Sequence, residues 1–129
     1  MSIDYQKPTL RGVTHLAMFF ISLIACGSLI YHSNTILEVA ANSVYSIGLC
    51  TMFGISALYH RLNCSIKTKL ILRKLDHCGI FIMIAGSFTP ICLLALPSDS
   101  GNKLLIIVWS LAIAGIVQSI FLTRIHRWL

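Results

Sequence analysis

Four long apolar blocks, separated by short polar stretches, make up most of this 129-residue chain. They cover residues 12–31, 40–60, 78–98 and 104–123, and none contains Asp, Glu, Lys or Arg. A helix needs roughly 20 mostly apolar residues to cross a bilayer, so each block can cross once. Membrane strands are shorter, at about ten residues, and alternate between apolar and polar positions. The pattern predicts an all-α, polytopic transmembrane helix bundle, a single domain over residues 1–129 with spans at about 12–31, 40–60, 75–97 and 104–123.

The composition supports a membrane protein and excludes a soluble domain. Hydrophobic residues make up 57% of the chain, charged residues make up 11%, and the mean hydropathy is +0.84. A soluble domain carries about 25% charged residues, which cover its outer face in water. This chain has too few polar residues for that, so we expect membrane lipids to be its partners.

The basic residues fall on one side of the predicted spans. Nine of the ten lie before the first helix, between the second and third, or after the fourth, and Lys103 is the exception. Because cytoplasmic loops are enriched in Lys and Arg, both termini are expected on the cytoplasmic side of the plasma membrane, the inner membrane of a bacterium. The net charge of +6 then marks topology and contact with anionic lipid heads, so we expect no nucleic acid as a partner. The nine residues are Lys7, Arg11, Arg61, Lys67, Lys69, Arg73, Lys74, Arg124 and Arg127. The pattern leaves the oligomeric state open.

The cysteines allow a second interpretation of the first helix. Leu23-Ile24-Ala25-Cys26 resembles a lipoprotein cleavage box behind a basic start, so processing into an anchored protein is one alternative. Apolar sequence continues past Cys26 and three more spans follow, which favours an intact helix. The five cysteines include no CxxC pair, and their pattern favours small apolar packing residues in a reduced compartment over zinc ligands.

Polar residues that are able to bind a metal or transfer a proton lie near the predicted cytoplasmic ends of the second and third spans. Ser56 and His60 lie four residues apart, which puts both on one helix face. Asp76 opens the next apolar segment. Ionisable groups that face one another across membrane helices are costly and mark functional sites. The structural alternative is that Asp76 pairs with Arg73 or Lys74, or caps the start of its helix.

Two further histidines near this side have more than one interpretation. His15 follows Thr14 near the start of the first span, and it is either an interfacial side chain or a polar contact at the mouth of a bundle cavity. His77 lies about 100° around the helix from Asp76, which favours an interfacial histidine.

Four short motifs occur in an order and spacing that resemble the haemolysin III family, which belongs with the progestin and adipoQ receptors. The motifs cover most of residues 12–96. Each motif alone is weak, and the four together are specific. They are Thr14-His15, Ser56-Ala57-Leu58-Tyr59-His60, Leu75-Asp76-His77 followed by Gly79-Ile80, and Ala85-Gly86-Ser87-Phe88-Thr89-Pro90.

The resemblance implies a seven-helix fold with a cytoplasmic N-terminus and a zinc ion near the cytoplasmic side. It makes His60 one of three histidine ligands, and it makes Ser56 and Asp76 neighbours of the zinc or of its water. The other two ligands in such proteins belong to an H-x-x-x-H motif on the seventh helix. This chain has four predicted spans and no H-x-x-x-H, so we expect a truncated member whose remaining zinc ligands lie beyond Leu129.

A zinc site of this kind has a definite chemistry. Three imidazoles and one water form an open, catalytic type of site. Zinc lowers the pKa of bound water toward ~7 and polarises a carbonyl group. Asp76 would then accept a proton or orient that water, and Ser56 would hydrogen-bond the water or an oxyanion. From the resemblance we expect a zinc-dependent hydrolase of lipid esters or amides, or a regulator of membrane homeostasis, with an incomplete site in this chain.

Two other functions stay open, so the chain is not assigned as an enzyme from sequence alone. The family name suggests a pore-forming cytolysin, although only the second span is rich in polar residues and no wide lined channel is evident. A non-catalytic truncated remnant is the third possibility. Loss of activity on substitution of His60 or Asp76, with the fold intact, would distinguish the hydrolase from both.

Overall fold

Four helices in series make up the described part of the chain. The computed structural model describes residues 9–121, in which α1 is Thr9–Tyr31, α2 is Ile36–Arg61, α3 is Ile66–Pro90 and α4 is Ser98–Phe121, and a π-helical segment, Ile91–Ala95, joins α3 to α4. All four helices are long and apolar enough to span a membrane, and residues 9–121 contain no strand. The predicted all-α transmembrane bundle is confirmed. Three of the basic residues named in the sequence analysis lie outside the described residues, namely Lys7, Arg124 and Arg127.

Each helix begins earlier than its predicted span, most clearly α3, which starts at Ile66 rather than near residue 75. Hydropathy marks the part of a helix that lies in hydrocarbon, whereas the helix itself continues into the polar boundary of the membrane. Ser65 caps the start of α3, because its side-chain oxygen accepts a hydrogen bond from the backbone N–H of Thr68. Asp76 therefore lies inside α3 and does not cap it, which corrects one of the structural alternatives for this residue.

Helix α2 has the central place in the packing. It lies along α1 on one side and along α3 on the other, and α4 lies along α3 and the π-helical segment. Within residues 9–121, α1 and α4 share no packed interface. The four helices therefore form an open row in chain order.

Small residues let the backbones of α2 and α3 approach closely. A Cβ atom on Gly48 would lie 3.2 Å from the carbonyl oxygen of Ile82, and one on Gly86 would lie 3.2 Å from that of Val44. Lipid tails are as apolar as side chains, so membrane helices associate through such close packing rather than through the hydrophobic effect. The buried apolar residues are accordingly small ones, namely Cys26, Ala41, Ala57, Cys78, Ala85, Cys92 and Ala112.

A hydrogen bond between side chains joins α4 to α3. Trp109 donates from Nε1 to Oγ1 of Thr89 at 3.1 Å, and the Thr89 hydroxyl donates to the carbonyl of Ala85 at 2.8 Å. Pro90 follows directly and has no backbone N–H to donate. The chain continues from there as the π-helical segment, which leads into α4.

We predict that Gly101→Ala destabilises the bundle. Gly101 is buried, and a Cβ atom there would overlap the carbonyl oxygen of Cys92, so the backbone has to shift. Overpacking of this kind costs about 1–3 kcal/mol, which should lower the melting temperature in detergent followed by circular dichroism. Gly27→Ala is the control, since a Cβ atom on Gly27 meets nothing within 4 Å. Equal melting temperatures for the two variants would contradict this prediction.

Candidate functional site

Polar side chains from three helices come together at one end of the bundle. His15 lies on α1, Ser56 and His60 lie on α2, and Asp76 lies on α3. Asp76 lies within electrostatic range of His60, and the ring of His60 packs against that of His15. The structure thus brings together the three site residues predicted from the sequence and adds His15 beside them. We call these four residues the polar cluster.

A hydrogen bond between α1 and α2 holds the serine of the polar cluster. Ser56 is only 5% exposed, and its Oγ lies 2.7 Å from Nδ1 of His15. The tautomer of His15 decides which of the two atoms donates. The His15 ring stands edge-on to Phe53 and to His60, with ring centroids 5.6 Å and 6.4 Å away. His15 therefore both bonds Ser56 and packs against His60.

The carboxylate of Asp76 has no hydrogen-bond or ion-pair partner in the described part of the chain. The ion pair that residues 9–121 do contain joins Lys103 to Asp99, at the opposite end of the bundle. Asp76 is therefore not paired with Arg73 or Lys74, which was the other structural alternative for this residue. A half-buried carboxylate without such partners is free to accept hydrogen bonds or a proton from a bound molecule.

Lys69 fastens the beginning of α3 to the end of α2 beside the polar cluster. Its ammonium group donates to the backbone carbonyl of Tyr59 and lies 4.5 Å from the centroid of the Tyr59 ring, a cation–π contact. The Tyr59 ring in turn stands edge-on to His60, with centroids 4.9 Å apart. His60 is thus packed between the rings of Tyr59 and His15, which limits the positions that its imidazole can take.

The other described histidines do not join the polar cluster. His77 is exposed, and its Nδ1 donates to the carbonyl of Arg73 on its own helix at 2.9 Å. His32 lies at the far end of α1, where its Nδ1 donates to the carbonyl of Ser28 at 2.8 Å. Within residues 9–121, no three His, Cys, Asp or Glu side chains converge as a metal-binding group. His60 and Asp76 do carry donor types that zinc accepts, an imidazole nitrogen and a carboxylate oxygen.

His15 is the member of the polar cluster that sequence reasoning did not assign. Of its two interpretations, the structure supports the polar contact rather than an interfacial side chain. The available signal was the motif Thr14-His15, which lies at the same end of the bundle as His60. Its contact with Ser56 depends on how α1 is rotated against α2, and the spacing of residues along one helix carries no information about that rotation.

Comparisons with known proteins agree with the motifs. A family model described as haemolysin-III related matches residues 3–129. Hemolysin-3 of Bacillus cereus is 35% identical over 117 residues, which are 88% of this chain and 53% of that protein. The Hemolysin-3 homolog of Bacillus subtilis is 43% identical over 87 residues, which are 67% of this chain and 40% of that protein.

A more distant similarity covers a shorter segment. The adiponectin receptor protein of Drosophila melanogaster is 40% identical over 47 residues, which are 36% of this chain and 11% of that protein. No solved structure matches the chain. The chain spans about half the length of the curated bacterial relatives that it matches.

We predict that His15→Phe and Ser56→Ala are energetically coupled. Each substitution alone removes the hydrogen bond between Nδ1 and Oγ and leaves the partner atom without it. Double-mutant cycles in a membrane protein give about 0.6 kcal/mol for such bonds, with a maximum of roughly 1.7 kcal/mol. A cycle over the free energies of unfolding in bicelles should return a coupling energy in this range.

A second cycle, with Thr14→Val in place of His15→Phe, is the control for this coupling. The Thr14 hydroxyl donates to the carbonyls of Leu10 and Arg11 on its own helix, so its removal leaves the α1–α2 contact unchanged. Its effect and that of Ser56→Ala should therefore add. If both cycles returned the same coupling energy, the bond between His15 and Ser56 would not be its source.

Proposed function

The chain belongs to the haemolysin III-related family, and on that premise we propose that it supplies part of a zinc-dependent site that hydrolyses an ester or amide bond of a membrane lipid. The observation that carries this proposal is the polar cluster, in which the ring of His60 packs against that of His15, His15 bonds the buried Ser56, and Asp76 lies on the helix packed against α2. Ionisable groups within a membrane bundle are costly and occur mainly at functional sites.

His60 and Asp76 fit a zinc site by the type of their donor atoms. His60 would hold the ion directly through a neutral imidazole, and the remaining ligands are expected outside residues 9–121. A bound zinc ion supplies a Lewis acid that polarises a carbonyl group and lowers the pKa of a water molecule. Tyr59 and His15 would keep the imidazole of His60 in place through their ring contacts.

Asp76 would accept a proton from water, and Ser56 would stabilise the negative charge that develops on the lipid. The half-buried carboxylate of Asp76 has no hydrogen-bond or ion-pair partner among the described residues, so it would orient a water molecule and accept its proton. Ser56 would donate a hydrogen bond to the carbonyl oxygen of the lipid as negative charge develops there. The water oxygen would bond to the acyl carbon, the acyl C–O or C–N bond would break, and Asp76 would pass the proton to the leaving oxygen or nitrogen, which gives a fatty acid and an alcohol or amine. His15 would act as a positioning residue, through its bond to the Ser56 hydroxyl and its ring contact with His60.

A lipid substrate suits the position of the polar cluster in the bundle. The helices are long enough to span a membrane, and the polar cluster lies near one end of them, so we expect it close to the level of lipid ester and amide bonds. Hydrolysis there would change the composition of the bilayer, so we extend the proposal to membrane homeostasis. The basic residues at the same end support a plasma-membrane orientation with the polar cluster on the cytoplasmic side.

A pore-forming cytolysin is the second candidate, favoured by the name of one relative, Hemolysin-3 of Bacillus cereus. Such a protein would release a trapped dye from vesicles. Because no imidazole or carboxylate chemistry is involved in permeation, its dye release would be the same in His60→Ala and Asp76→Asn. A lipid hydrolase loses its activity in both variants.

We predict that Cys64 is on the cytoplasmic side. It lies in the connection between α2 and α3, whereas the other four cysteines lie in helices. A membrane-impermeant maleimide should therefore label it in inverted membrane vesicles and not in intact cells. Cys64→Ser, the control, should abolish the labelling. Labelling of intact cells that disappears in Cys64→Ser would reverse the proposed orientation.

We predict that zinc binding depends on His60 and not on His77. The full 129-residue chain is reconstituted alone, and together with the C-terminal remainder of Hemolysin-3 from Bacillus cereus, and metal content is measured by mass spectrometry. We expect weak zinc binding by the chain alone and one zinc ion in the complex, lost in His60→Ala and retained in His77→Ala. Asp76→Asn should weaken zinc binding about 10–100-fold, as removal of a neighbour of the metal does.

The same preparations test hydrolysis of the lipid. Release of fatty acid from ester-linked and amide-linked lipids should be lost in Asp76→Asn and retained in Asp99→Asn, whose carboxylate pairs with Lys103 at the other end of the bundle. A tightly bound zinc ion that survives His60→Ala would refute the role of His60. A zinc-loaded complex that releases no fatty acid would refute the hydrolase.

A further inference from the structure

A groove between α1 and α2 lies outside the polar cluster. It has a volume of about 380 Å³ and an almost wholly apolar lining that includes Leu16, Phe19 and Leu58, with Arg61 at its end. Leu58 comes two residues after Ser56, which is a rotation of about 200° around α2. The groove therefore opens on the face of α2 that points away from Ser56, and its function is independent of the hydrolase proposed above.

Two glycines shape this groove. At Gly54 the ring of Phe19 lies against the backbone of α2, where a Cβ atom would be 3.1 Å from its Cε2. At Gly12, on α1, the stem of Arg61 crosses the helix, and a Cβ atom would be 2.8 Å from its Cγ. The lack of a side chain at position 12 therefore allows Arg61 to lie across α1 at the rim of the groove.

Arg61 has no ion-pair partner among the residues that the structure describes, so its charge is open to a bound group there. Within residues 9–121, the described ion pair is between Lys103 and Asp99, at the other end of the bundle. Two basic neighbours already have acceptors within the protein. Lys69 donates to a backbone carbonyl at the end of α2, and Lys74 donates to one at the end of α4. Arg61 is exposed and ends α2, where a long basic side chain reaches the level of the lipid head groups.

We propose that this groove binds one acyl chain of an anionic phospholipid, whose phosphate contacts Arg61. A volume of about 380 Å³ is near the lower limit for ligand pockets, which suits one slender chain better than a ring system. The planar guanidinium group donates two parallel hydrogen bonds to a phosphate. A zwitterionic head group adds a positive charge close to Arg61, so a lipid with net negative charge is preferred.

Native mass spectrometry of the full chain in detergent, with phosphatidylglycerol or phosphatidylcholine added, tests the proposal. We expect a one-lipid species that favours phosphatidylglycerol by about fivefold, the effect of one basic side chain near the head groups. Arg61→Gln should remove this preference. Arg73→Gln, which changes an exposed basic residue at the same end of the bundle, should retain it.

Gly12→Ala tests the placement of Arg61 without changing the charge of the protein. The added methyl group displaces the stem of Arg61, so the preference for phosphatidylglycerol should fall as it does in Arg61→Gln. Gly27→Ala on the same helix meets nothing within 4 Å and should behave like the wild type. An unchanged preference in Gly12→Ala would overturn the assigned position of the phosphate.

Leu58→Trp tests the groove itself, because the indole fills space that the acyl chain would occupy. Leu58 is 47% exposed, so the larger side chain fits without repacking the bundle, and the one-lipid species should be lost for both lipids. Leu75→Trp, at a site 42% exposed near the same end, should leave it unchanged. Equal retention of the two lipids by the wild type, or equal losses in Arg61→Gln and Arg73→Gln, would refute a built site and indicate general attraction to a basic surface.

Discussion

Close contact between helix backbones at small residues is the constraint on which this structure depends. A bilayer gives apolar side chains no reason to leave the lipid, so helices stay together only where their surfaces fit closely. Glycines in α2 and α3 provide that fit at the centre of the row, and the buried apolar residues are alanines and cysteines rather than large side chains. The large apolar residues are left on the outside, where the lipid tails contact them.

The polar cluster follows from this close packing. Because α2 is held against both α1 and α3, side chains from the three helices reach one another at the end of the bundle. His15 satisfies the buried Ser56, and Lys69 ties the ends of α2 and α3 together around Tyr59. The carboxylate of Asp76 has no hydrogen-bond or ion-pair partner within residues 9–121, and its position near the membrane boundary makes a free carboxylate less costly there than in the hydrocarbon centre.

The sequence was sufficient for the features that depend on one helix at a time. The lengths of the apolar blocks predicted four spans, and the spacing of Ser56 and His60 predicted their common face. The start of α3 was predicted too late, because hydropathy does not detect the capped, polar turns that precede the hydrocarbon. The contact between His15 and Ser56 depends on how α1 is rotated against α2, which only the packed structure determines. The same holds for the lack of a hydrogen-bond partner of Asp76 within residues 9–121.

The short contact between Ser56 and His15 limits how the serine can be used. A hydroxyl group has one proton and two lone pairs. If Nδ1 of His15 carries no hydrogen, the Ser56 hydroxyl donates its proton to Nδ1, and only its lone pairs can contact a third molecule. If Nδ1 carries hydrogen, the serine accepts from His15 and keeps its own proton for donation. A single tautomeric exchange on α1 therefore converts Ser56 from an acceptor into a donor without movement of either helix.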